Sequence, residues 1–203
     1  MLGRFLVVSI LCSTLPQKDF KLPVSTYDRN AIESIKLTEI GEFGLLRKAR
    51  PEVAAHYHAG IDIKRPSKNY VNEKIFPIYY GIVISIREDG PFAQIIVEHN
   101  GNEKFWTVYE HISGIEVDLF DDVNPDKPIA RFMNRAELDK YGWQFDHLHF
   151  EVLKIKPLKI KPIKSTPKRL YSTHSLTCKT KEELNKYFYN PIDFLKSKLY
   201  TIK

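Results

Sequence analysis

The chain has 203 residues, 43% of them hydrophobic, enough for one good core; at about 150 residues per domain this is a single domain with decorations. No stretch approaches the roughly 20 apolar residues of a membrane-spanning helix, and the two cysteines, Cys12 and Cys178, give no disulfide framework if the first is removed or acylated. The net charge of +6 raises the question of nucleic acid, but the basic run KIKPLKIKPIKSTPKR has no interleaved aromatics, so a solvated arm or attraction to anionic envelope polymers suits it better than base stacking.

The first residues, MLGRFLVVSILCSTLPQ, hold one arginine and a short apolar run, and read as a signal or lipoprotein segment over 1–15, with Cys12 as the lipidation point; a buried N-terminal strand is the alternative. An N-terminal arm over 16–49 follows, and the main domain occupies 50–200. In HYHAGIDIKRP, His58 and Asp62 stand four apart. Gly60 and the β-branched Ile61 and Ile63 argue for a loop running into a strand rather than a helix. His56 makes a second H-x-H with His58 and reads as a rim residue.

Period-two patterning predicts strands over 75–87, 93–99, 104–112, 128–133 and 147–155, with turns at EDGP and HNGN. In WTVYEHIS, alternation places His111 on the face opposite Val108 and Ile112, where the plain reading is a single polar residue near a strand end. Helices are few: Asn134 with Glu137, and Thr180 with Glu183, each form the sequence pattern of a capping box. In FDHLHFEV, strand alternation puts His147, His149 and Glu151 on one face and Leu148, Phe150 and Val152 on the other. Two imidazoles side by side suit a metal ligand beside a proton-transfer group, two ligands of one ion, or simply a hydrogen-bonded pair. Asp146, next in line, is a weaker candidate for steadying an imidazole. A second metal site at His174 and Cys178 has little support.

Taken in order, HAGID (58–62), YGIVISI (80–86), YEHIS (109–113), HLHFEV (147–152) and NPIDFL (190–195) resemble the lysostaphin-type, LytM-like zinc endopeptidases, which cut peptide bonds in bacterial peptidoglycan. The resemblance covers roughly 50–195. It implies a mainly β fold, an antiparallel β-sheet sandwich with a few short helices and the site in a groove on the sheet. It implies Zn²⁺ held by His58, Asp62 and His149, with His111 and His147 as the catalytic pair. Three N and O ligands plus one water make the open arrangement of a catalytic zinc. It also implies an exported protein acting in the periplasm, cell envelope or outside, on stem peptides or cross-bridges. Two features depart from the pattern. KYGWQFD stands where relatives carry small residues and a proline, so Trp143 and Phe145 are expected to reshape one groove wall; and a basic insertion occupies about 154–189. A non-catalytic member that binds peptidoglycan or regulates another hydrolase is the alternative, but such members typically lose metal ligands and this chain keeps the whole set.

Overall fold

The computed structural model describes residues 19–101 and 103–199; the leader expected over 1–15, with Cys12, lies outside them. The elements in chain order are β1 Leu46–Arg47, β2 His56–Tyr57, β3 Ile61–Lys64, β4 Lys74–Ile75, β5 Gly81–Arg87, β6 Gln94–Asn100, β7 Lys104–Glu110, β8 Ile112–Ser113, β9 Asp122–Val123 and β10 Ala130–Phe132. After them come α1 Arg135–Tyr141, β11 His147–Leu153, β12 Leu158–Lys159, β13 Tyr171–Ser172, α2 Lys181–Tyr187, β14 Phe188–Tyr189 and α3 Pro191–Leu199. The fold is mainly β and antiparallel, as expected.

The principal sheet runs β14-β11-β7-β6-β5-β9, with β3 also pairing β11; a second sheet runs β4-β10-β8. The larger core fills the space between them. It takes Leu148, Phe150 and Val152 from β11, Tyr109 from β7, Ile95 and Val97 from β6, and Ile75, Ala130 and Phe132 from the smaller sheet. Alternation along each strand thus supplies one fully apolar face. A second cluster covers the opposite face with Ile96, Trp106, Val108, Leu153, Cys178, Leu184 and Phe188. Residues 171–188, from the segment read as an insertion, therefore cap the site-bearing face at one end. From the N-terminal segment Leu22 and Val24 are completely buried, and Val24 bridges Ile75 while Leu37 bridges Ile63.

Two long predicted strands are broken. The run 75–87 splits into β4 and β5, which join different sheets. Pro77, between them, has no N–H for a ladder, and the Ile78 N–H goes to the Tyr109 hydroxyl at 3.0 Å. The run 104–112 splits at His111, whose φ is 62°, so that β7 stays in the principal sheet and β8 crosses to the smaller one. Both capping boxes form, on Asn134 with Glu137 and on Thr180 with Glu183.

Candidate metal centre

The β3–β11 register sets Asp62 opposite His149, and Ile61 and Ile63 opposite Phe150 and Leu148. Opposed residues of an antiparallel pair project from the same face, so the two isoleucines join the core while the carboxylate meets the imidazole on the other side. Gly60 permits this close approach. A Cβ there would lie 2.5 Å from the Phe150 carbonyl oxygen and 2.9 Å from His149 Cε1. His58 enters from the preceding loop, its N–H donating to the Leu45 carbonyl at 2.9 Å and its own carbonyl accepting from Gly44 at 2.8 Å.

Three ligand-type atoms converge. Asp62 Oδ1 lies 2.9 Å from His149 Nδ1 and 3.1 Å from His58 Nε2, and those two nitrogens are 3.1 Å apart. Each residue is tied at its far side. His58 Nδ1 donates to the Glu42 carbonyl at 2.8 Å, His149 Nε2 faces Glu151 Oε1 at 3.0 Å, and Asp62 Oδ2 accepts from Arg47 at 2.8 Å. With both outer nitrogens engaged as donors, both inner ones present lone pairs toward an anionic oxygen. Such a convergence is repulsive unless a proton or a cation mediates it, and two imidazoles with one carboxylate are the donor set of a zinc-type ion. Among the described residues this is the one His/Cys/Asp/Glu group close enough to hold a metal.

The electrostatics follow. Burial opposes the Asp62 carboxylate, but the close His149 and His58 rings outweigh it and hold its pKa far below the carboxylate range. Burial likewise opposes a charged His149, yet Asp62 and Glu151 on its two sides raise it well above an ordinary imidazole. His58 is pushed down, chiefly by burial.

His147 and His111 stand beside this cluster. His147 Nε2 is 3.6 Å from Asp62 Oδ1, and burial drives the ring down to about 3, so it is neutral. Strand alternation had put His111 on the opposite face; its left-handed backbone turns the ring to the site side instead. The ring centroids of His111 and His147 are 4.9 Å apart, and His111 Nδ1 donates to the Pro91 carbonyl at 2.6 Å. The five sequence-predicted residues, His58, Asp62, His111, His147 and His149, are therefore brought together.

They line a groove of about 440 Å³ whose walls include Ile40, Phe92, Phe145 and Leu176, with Arg47, Lys48 and Arg50 along a basic margin. Phe145 packs on His111 and Phe92, as a wall residue should, but Trp143 turns away onto Tyr70 and donates to Asp139. His56 lines the groove without joining the cluster, its Nδ1 on the Ala54 carbonyl. Asp146 pairs with Arg65 rather than with an imidazole. His174 stacks on Tyr187, and the buried Cys178 thiol is pushed up to about 12 by burial, which is a packed rather than a metal-binding pair. Sequence reasoning placed Glu151 on the right face without assigning it work, and missed Arg47 and the Glu42 carbonyl. Nothing in the motifs points to the last two.

A sequence model of peptidase family M23 matches residues 56–163, more than half of the chain and the stretch that holds all five residues. The protein belongs to peptidase family M23. No curated protein matches it. Among solved structures this M23 chain is similar to a zinc-containing peptidase from Vibrio cholerae, with 24% identity over 66% of this chain and 36% of that one and a TM-score of 0.45. It is similar to lysostaphin at 17% identity, over 82% of this chain and 52% of that one, with a TM-score of 0.49. It is also similar to a chain of the SpoIIIAH–SpoIIQ complex at 21% identity, over 67% and 92%, with a TM-score of 0.45. The chain thus spans about a third of the Vibrio peptidase and half of lysostaphin.

Proposed function

We propose that this M23 protein is a zinc-dependent endopeptidase that hydrolyses peptide bonds in bacterial peptidoglycan. The observation that carries the reading is the convergence of His58 Nε2, Asp62 Oδ1 and His149 Nδ1 at one point, with His147 and His111 beside it in an open groove. A zinc ion in such a set polarises a peptide carbonyl and acidifies a water. The chain's own residues do the rest. His147, neutral and 3.6 Å from the Asp62 oxygen, takes a proton from the attacking water. His111, fixed by its Nδ1–H on the Pro91 carbonyl, keeps a lone pair on Nε2 for the groove, where it shares in taking the proton of the attacking water and then hands that proton to the leaving amine. The groove between Phe145 and Phe92 on one side and Ile40 and Leu176 on the other accepts an extended peptide. One carboxylate against a dication leaves the site net positive, which favours the oxyanion.

Such a substrate places the protein outside the cytoplasm, in the periplasm, envelope or medium; no helix of the described residues is long and apolar enough to cross a membrane. The reading is tested by digesting purified peptidoglycan from several wall types and identifying released muropeptides by mass spectrometry, beside elemental analysis of the protein. Release of cross-link or stem-peptide fragments, with about one zinc per chain, is the expected result. Zinc bound with no release from any wall favours a non-catalytic peptidoglycan-binding member instead.

A further inference from the structure

The three inward atoms of the cluster depend on what holds the outward ones. We propose that Glu151 and Arg47 are positioning residues of the metal centre, Glu151 selecting the nitrogen His149 presents and Arg47 keeping Asp62 to a single ligating oxygen. The inference rests on the reading of the cluster as a zinc site.

Glu151 is 1% exposed, and its Oε1 sits 3.0 Å from His149 Nε2 while Oε2 is buried with no hydrogen-bond partner. A buried carboxylate with one bare oxygen is a costly feature to place in a core, and leucine or glutamine would fit the strand pattern as well. Its position explains the cost. An acceptor on Nε2 forces the His149 proton there and leaves Nδ1 as the lone-pair nitrogen, and a charged acceptor makes that nitrogen more basic toward a cation.

Arg47 works on the carboxylate. Asp62 has two oxygens; Oδ1 faces both histidines and Oδ2 is taken by the guanidinium at 2.8 Å. A carboxylate tied in this way cannot swing its second oxygen onto the ion, so the fourth position stays open for water and substrate. The Arg47 side chain is only 16% exposed, and β1 pairs Arg47 with His56, two residues from His58, which fixes its reach. Glu151 adds one negative charge near the site and Arg47 adds one positive charge. Together they leave the formal charge set by Asp62 unchanged, so the pair orients the ligands without quenching the ion. Arg47 lies before the matched stretch 56–163, so part of the centre is supplied by the N-terminal segment.

The test compares the full chain with Glu151→Gln, Glu151→Leu, Arg47→Met and Arg47→Lys. Zinc affinity is read by competition with a chromophoric chelator, coordination by the visible absorption of the Co²⁺-substituted protein, and folding by thermal melting of the metal-free protein. We expect Glu151→Leu to weaken zinc binding roughly 10- to 100-fold, with Glu151→Gln in between, because amide oxygen restores an acceptor but not its charge. Arg47→Met should lower the Co²⁺ absorption intensity, as a second carboxylate oxygen enters the coordination sphere, and Arg47→Lys should restore part of it. Should Glu151→Leu fail to fold, the near-isosteric Glu151→Gln and the groove-margin Arg47 variants decide. Affinities within about twofold of wild type together with unchanged Co²⁺ spectra would overturn the inference while leaving the zinc reading intact. A wild-type chain that takes up no zinc overturns both.

Discussion

His149 is held between two carboxylates, Asp62 on Nδ1 and Glu151 on Nε2, whereas His147, two residues earlier on the same face, meets only the margin of Asp62. That asymmetry divides the labour within H-L-H. His149→Ala should lose metal and activity together. His147→Ala should keep its metal and lose roughly 10²-fold or more in rate, the usual worth of a positioned acid or base. His111→Ala should behave like His147→Ala, since its ring flanks the same cluster from another strand. Zinc content measured beside peptide hydrolysis for the three variants decides it; a zinc-free His147→Ala that accompanies a zinc-loaded His149→Ala would reverse the assignment.

Two elements position these side chains, and both turn on an unusual backbone demand. At the end of β7 the chain adopts φ 62° at His111, a left-handed conformation that a non-glycine residue reaches at a cost on the order of 1 kcal/mol or more. The cost is met by the Pro91 carbonyl and by Phe145 packed on the ring. At the mouth of β3, Gly60 lets the backbone pass against β11. Gly60→Ala would drive a methyl into the Phe150 carbonyl, so β3 must move off β11 and carry Asp62 away from His149. The expected outcome is a stability loss on the order of 1–3 kcal/mol by thermal or chemical unfolding, accompanied by weakened zinc binding. Gly60→Ala with full zinc affinity would show that the β3–β11 contact does not set the ligand geometry.

Across the whole molecule, stability toward acid is carried in part by His99, far from the groove. The ring is completely buried, with Nδ1 donating to the Tyr80 carbonyl and Nε2 accepting from the Thr107 hydroxyl, whose oxygen lies 3.1 Å from the Tyr109 hydroxyl. Burial lowers its pKa to about 4; the Tyr80 carbonyl and the Glu98 charge pull the other way without offsetting it. The folded chain therefore resists a proton that the unfolded chain accepts near 6.5. Stability is full above that value and falls as the pH drops toward 4, by about 3 kcal/mol at most from this residue. In His99→Gln the difference from wild type should narrow over that window, and parallel pH profiles of the two proteins would exclude the role. The same scale governs the basic run. Lys156, Lys159, Lys161 and Lys164 are exposed and lie away from the groove-lining residues, so their attraction to anionic walls should be screened by salt. Replacing the four by glutamine should reduce retention on intact walls at low salt and leave cleavage of a small soluble peptide unchanged; equal loss on both would mean that this segment shapes the groove.

By itself the sequence determined what is periodic or local: the mainly β character, the shared face of His147, His149 and Glu151, the strand-borne Asp62 after Gly60, and both helix caps. These follow from side-chain alternation and from hydrogen bonds spanning three or four residues, which need no distant partner. Only the tertiary structure decided what depends on two segments meeting. The break at Pro77 and the turn at His111 come from strands leaving one sheet for another, against a pattern that reads as continuous. The Arg47–Asp62 pair and the Glu42 carbonyl on His58 join the N-terminal segment to the motif across a fold that no spacing encodes. Trp143 and Phe145, near neighbours in sequence, part company because one packs on Tyr70 and the other on His111. Which side chains surround an ion is fixed by the register of β3 on β11 and by the loops that close over it, and those are long-range contacts.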